Sequence, residues 1–92
     1  MSGGHFNYDQ YRIGYIADEI EELIRNNDDE SVNEWGDTVG RGYTAETIAE
    51  FKTAVELLRK AQIYAHRIDW LVSCDDGEDT FHERLAEDLE NL

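Results

Sequence analysis

TAETIAEFKTAVELLRKAQIYAHRIDWLV, residues 44–72, decides the fold, because it reads as one uninterrupted helix of about eight turns. At 100° per residue, Ile48, Phe51, Val55, Leu58, Ala65 and Val72 fall on one side. Ala54, Leu57, Ala61, Tyr64 and Leu71 carry the apolar arc round to a second side. A helix with one neighbour needs a stripe only a little over 100° wide, and this arc covers more than half the circumference. The helix is therefore expected to be sandwiched. The remaining wedge holds Lys52, Glu56, Arg59, Lys60, Ile63, Arg67 and Trp70, a basic strip in an acidic protein.

Upstream, residues 27–43 (NDDESVNEWGDTVGRGY) break the helical period and carry three glycines, so they read as a long connection. Trp35, with Val32 and Val39, either tucks this loop onto the body or stands exposed as an aromatic anchor for a partner. Before it, residues 9–26 are helical, with Ile13, Ile16, Ile20, Leu23 and Ile24 on one face. Gly14 costs about 1 kcal/mol in a helix interior and suggests a close backbone approach. Tyr8, Tyr11 and Tyr15 form a second, aromatic edge. Residues 1–8 read as a non-helical arm that ends at an N-cap, Asn7 or Asp9.

Downstream, Thr44 caps the long helix (44–74) at its start, and Asp75-Asp76-Gly77 ends it, with Gly77 expected in the left-handed turn. Thr80-Phe81-His82-Glu83 matches a capping box and opens a third helix over 80–92. That helix buries Phe81, Leu85, Leu89 and Leu92, is too short to stand alone, and must dock, most simply on the second apolar side of the central helix. The sequence thus predicts a single all-α domain, a long helical hairpin with a short third helix. It also predicts a homodimer, because the central helix has more apolar surface than one hairpin covers.

The chain has 92 residues, 22 acidic against 8 basic, for a net charge of −14. Such a surface repels phosphates and anionic lipids, so neither nucleic acid nor a membrane is an expected partner. The acid is concentrated at the ends: residues 41–68 hold five basic and three acidic side chains. One cysteine, no proline, no signal peptide and no apolar run of about 18 residues predict a soluble, intracellular protein.

Catalytic patterns are weak. His5, His66, His82 and Cys74 lack the paired spacing of a zinc site, and no spacing supports Cys74 with a histidine as nucleophile and base. The run DDGED does not place its acids as a calcium loop does, and the loop glycines match no phosphate-binding fingerprint. No enzyme activity, cofactor or metal is expected. Gln62, His66 and Asp69 follow at i, i+4 and i+7 at the edge of the apolar arc. A buried carboxylate needs a partner, so this ladder is either a satisfied polar network or the wall of a small-molecule pocket.

SGGHFNYDQY at residues 2–11 and IDWLVSCDDGEDTFHERL at residues 68–85 resemble tracts in a group of small acidic proteins of bacterial phages and prophages, for which no activity is assigned. The resemblance covers most of the chain and implies a setting, the cytoplasm of a bacterial host, rather than a mechanism. Small phage proteins often antagonise host defence, by covering a nucleic-acid-binding surface as anti-CRISPR and DNA-mimic proteins do, or by sequestering a nucleotide. The acidic immunity proteins of nuclease colicins are similar in size and charge, but this proline-free chain lacks their Tyr-Tyr-Pro motif.

The leading expectation is a non-enzymatic inhibitor that binds a basic, nucleic-acid-binding surface of a host protein. Its carriers are Asp18, Glu22, Asp28, Asp29, Trp35, Asp75, Asp76, Glu78, Asp79 and Glu87. The alternative is a nucleotide- or anion-binding protein that uses Arg59, Tyr64, His66, Arg67, Asp69 and Trp70. A third reading is a structural or assembly protein of the virion, in which the acid only solvates the surface.

Overall fold

The structure, a computed structural model, describes residues 6–92; His5 and the glycines of the arm lie outside the described residues. Among these, helices α1 (Gln10–Arg25), α2 (Ala45–Val72) and α3 (Glu78–Glu90) are joined without a strand, so the chain is all-α. Contacts from Gln10 to Asp69 and from Asp18 to Arg59 run α1 antiparallel to α2. Helix α3 meets α2 at the basic wedge, where Arg67 pairs with Asp88, and not on the expected second apolar side, where Leu57 and Tyr64 stay exposed; α1 and α3 do not pack on each other. The result is one layer of helices with extents of 53 × 26 × 15 Å, and the shortest is little more than a helix diameter.

The fully buried residues of α1 are Gln10, Gly14 and Ala17, while Ile13, Ile20 and Ile24 are half-buried beside them. Gly14 leaves room for long polar side chains of α2. A Cβ on Gly14 would stand 2.6 Å from Gln62 Oε1, and Arg59 Nη1 donates to the Gly14 carbonyl at 3.4 Å. The predicted core face is covered only in part, leaving Ile16 and Leu23 exposed. Among the described residues Ala17 is the only buried apolar side chain, while Gln10, Asn27 and Asp69 are buried polar ones. A single layer has no interior, which is why the expected sandwiching of α2 is only half realised: Leu57 remains 62% exposed.

The ends of the helices refine the sequence reading. The Thr44 side chain caps α2 by accepting from Thr47 N–H at 3.3 Å, as expected. Asp9 stands at the N-cap of α1 in helical geometry and makes no side-chain cap. At the end of α2 the left-handed residue is Cys74 (φ 63°), not Gly77, whose φ is −105°. Cys74 N–H donates to Leu71 O and Asp75 N–H to Trp70 O, the paired bonds of a Schellman ending. Gly77 serves instead as the N-cap of α3, so this helix begins at Glu78, ahead of Thr80. Thr80 lies in the first turn and its hydroxyl accepts from Gly77 N–H at 3.2 Å. Phe81, Leu85 and Leu89 are partly buried, whereas Leu92, expected to be buried, is exposed.

Candidate functional site

Residues 26–43 are built around two residues. Buried Asn27 acts as a clamp: its Oδ1 accepts from Tyr43 N–H at 2.9 Å and its Nδ2 donates to Tyr43 O at 3.0 Å. The Tyr43 ring then meets Phe51 edge-on at 5.6 Å, seating the end of the loop on α2. Gly40 is the second residue, since a Cβ there would lie 2.5–2.6 Å from the carbonyl oxygens of Asn26, Asn27 and Asp29. Only glycine permits that approach.

Beyond this base the chain folds back on itself through an antiparallel bridge between Val32 and Thr38. Asn33 Oδ1 accepts from both Trp35 N–H (2.9 Å) and Asp37 N–H (3.1 Å), and Gly36 supplies a positive φ of 85°. Of the two fates open to Trp35, the structure shows the exposed one, with 77% of its surface accessible at the tip of a hydrogen-bonded loop. From Asn26 to Gly40 the chain carries Asp28, Asp29, Glu30, Glu34 and Asp37 and no basic residue. The bond from Ser31 lowers the Asp29 pKa, which keeps that carboxylate charged. Glu22, with Glu19, borders a concavity shared with Val39 and Arg41, so it belongs to the same end of the molecule.

The remaining expected carriers do not join this cluster. Asp75, Asp76, Glu78 and Asp79 lie past the other end of α2, which is about 42 Å long at 1.5 Å per residue, and Glu87 lies on α3. The Asp76 side chain is only 2% exposed: it receives Gly77 N–H and the Thr80 hydroxyl, and Arg84 lies 3.7 Å away. Bonding from Thr80 is the largest cause lowering its pKa. Asp76 is thus a turn-forming group rather than a contact surface. Asp18 is engaged by Arg59 at 2.7 Å, although its side chain stays largely exposed.

The six residues of the alternative ligand set do not converge on one site. Arg59 is held by Asp18 and Glu21, and Arg67 by Asp88 at 2.6 Å, so acids of α1 and α3 neutralise much of the basic wedge. Tyr64 points to the bare side of α2. Asp69 is fully buried beneath the entry to α1, accepting from Phe6 N–H at 3.1 Å and Gln10 Nε2 at 3.2 Å. His66 and Trp70 do meet, at 5.5 Å between rings, with Arg67 5.8 Å from the indole and Tyr11 6.2 Å from the imidazole. Burial, then the neighbouring Arg67 charge, pushes the His66 pKa below its ordinary value, and its buried Nδ1 has no hydrogen-bond partner. The Gln62–His66–Asp69 ladder is therefore divided among a contact with Gly14, an aromatic cluster and a buried acceptor.

Sequence reading missed Asn27 and Gly40, the two residues that hold the loop. An Asn beside the end of a predicted helix and a Gly in a loop are too common to single out, because their role depends on backbone atoms brought together only by folding. No helix among the described residues is long and apolar enough to cross a membrane. Compared with known proteins, the chain matches no family model, no curated protein and no solved structure.

Proposed function

We propose that this chain is a non-enzymatic, homodimeric interaction protein of phage or prophage setting, which uses the tip around Trp35 to bind a basic, nucleic-acid-binding surface of a host protein and thereby inhibits it. One observation carries the reading: an exposed indole on a hydrogen-bonded loop whose residues 26–40 carry five acidic side chains and no basic one, with Arg41 at its base. A preformed aromatic anchor loses little conformational freedom on docking, and desolvated aromatics dominate interface energetics. The carboxylates attract a basic surface at long range and speed association. Asp28, Asp29, Trp35 and Glu22 are the expected carriers that share this end; Asp75, Glu78, Asp79 and Glu87 form a separate acidic region. The nucleotide-binding alternative is less favoured, because Arg59 and Arg67 are already paired.

The test is capture from bacterial lysate at low ionic strength, with wild type beside Trp35→Ala and beside a variant in which Asp28, Asp29, Glu30, Glu34 and Asp37 become Asn or Gln. Wild type is expected to retain a basic protein and displace DNA from it. Trp35→Ala should weaken that binding by roughly 30-fold, corresponding to about 2 kcal/mol for a hot-spot aromatic. Capture that survives both variants, or that is indifferent to salt, overturns the reading.

A further inference from the structure

One face of the α1–α2 layer is apolar and uncovered. On α2, positions 54, 57, 61, 64, 68 and 71 follow the alternating three- and four-residue spacing of a coiled-coil seam, and none is charged. Leu57, Ala61, Tyr64 and Ile68 on this line are all exposed. Ile13 and Ala65 border a common concavity, which puts the isoleucine stripe of α1 on the same side, with Ile16 and Leu23 exposed there. The face is thus two helices wide.

The molecule as a whole exposes enough surplus surface for a second layer. The accessible surface is 6729 Å², against about 5,500 Å² for a compact monomer of 10.7 kDa. The excess, about 1,200 Å², exceeds the roughly 800 Å² that each partner contributes to an ordinary stable interface. The radius of gyration, 17.5 Å, likewise stands above the roughly 12 Å expected for a compact domain of this length.

Resting on the dimeric reading above, we infer that the occupant of this face is a second copy of the chain, stacked face to face with its α2 antiparallel to the first. The seam is its own mirror in that register. The midpoint of Ala61 and Tyr64 is also the midpoint of Leu57 and Ile68 and of Ala54 and Leu71. A two-fold axis at that point sets Ala61 against the partner's Tyr64 and Ala54 against the partner's Leu71, small against large, and Leu57 against the partner's Ile68, one aliphatic side chain on another. A parallel pairing sets Tyr64 on the partner's Tyr64 and brings both acidic tips to one end, where like charges repel. The antiparallel pairing sends the two Trp35 tips to opposite ends, well beyond a Debye length of about 8 Å. An uncharged seam offers a basic partner no complementary charge, whereas its own image fits it.

The experiment uses the full chain with Cys74→Ser, followed by sedimentation equilibrium at tens of micromolar and by cysteine cross-linking. Dimerisation is read as a mass twice 10.7 kDa. The register is read from Leu57→Cys and Ile68→Cys proteins, mixed or separate, under mild oxidation. The inference expects a disulfide dimer in the mixture and far less in either protein alone. A single-chain mass overturns both the inference and the dimeric reading. A doubled mass with no cross-link, or with Leu57→Cys linking chiefly to itself, overturns the register while the dimer stands. Tyr64→Glu is expected to halve the mass with helical circular dichroism retained above the association threshold of wild type; a Tyr64→Glu protein that still sediments as a dimer also overturns the proposed face.

Discussion

On the side where α2 meets α1, the most deeply buried residues are small or polar: Gln10, Gly14 and Ala17 on one helix and Asp69 on the other, with Gln62 lying over Gly14. On the side where α2 meets nothing in its own chain, the residues are Leu57, Tyr64 and Ile68. Most small domains place these two sets the other way round, because apolar burial is the main favourable term in folding. Here the deepest burial goes to hydrogen-bonded polar groups, and Leu57, Tyr64 and Ile68 stay exposed; the inferred second copy would cover them. Stability of such a chain is expected to depend on its concentration.

Asp69 gives the largest test of that contrast. Asp69→Ala leaves Phe6 N–H and the Gln10 amide without their acceptor in a buried place, so the unfolding free energy should fall by about 3 kcal/mol, measured by urea denaturation. A loss under 1 kcal/mol would mean that the polar side does not hold α1 in place. Gly40→Ala comes next. A methyl group pressed against three carbonyl oxygens should cost about 2 kcal/mol and speed amide exchange at Gly42 and Tyr43, while the α2–α3 turn keeps its protection.

The opposite end of α2 should respond with the opposite sign. Cys74 holds a left-handed conformation that a side chain disfavours, so Cys74→Gly should stabilise the protein by about 1 kcal/mol in thermal unfolding. The smallest effect is the pH dependence of His66. Burial lowers its folded pKa below the unfolded value of about 6.5, so the unfolded chain binds the proton first. The contribution of His66 is full above that pH and is lost as pH falls toward the folded value. Arg67 reinforces the shift while Asp88 and Asp69 oppose it. Between pH 7.5 and 5.5, wild type should lose more melting temperature than His66→Gln, and equal slopes would show that His66 is not set apart by its surroundings.

The three helices were legible because each rests on local rules: period 3.6 over residues 44–72, an acceptor at Thr44, and a turn at residues 73–77. The α3 start was misplaced because Thr80 fits two positions of a cap, and only the backbone of Gly77 shows which it takes. The choice of Cys74 over Gly77 for the left-handed residue was equally hidden, since Schellman bonding depends on where the last helical carbonyls point. Trp35 was recognisable as an anchor candidate, but not as an exposed one, because its place depends on the loop's fold-back through Asn33 and on a base held by Asn27 and Gly40, none with a signal of its own.

Sequence alone determined that the chain is helical, acidic and furnished with more apolar surface on α2 than one neighbour covers. Periodicity, charge count and capping residues are properties of single segments and need no partner to be read. Only the tertiary structure decided which apolar stripe stays bare, which carboxylate is buried and which acids share an end with Trp35. Those outcomes follow from how α1 is turned on α2: Gly14 makes room for the Gln62 side chain and Asp69 takes the bonds of Phe6 and Gln10, and in that rotation Ile16 and Leu23 stay exposed.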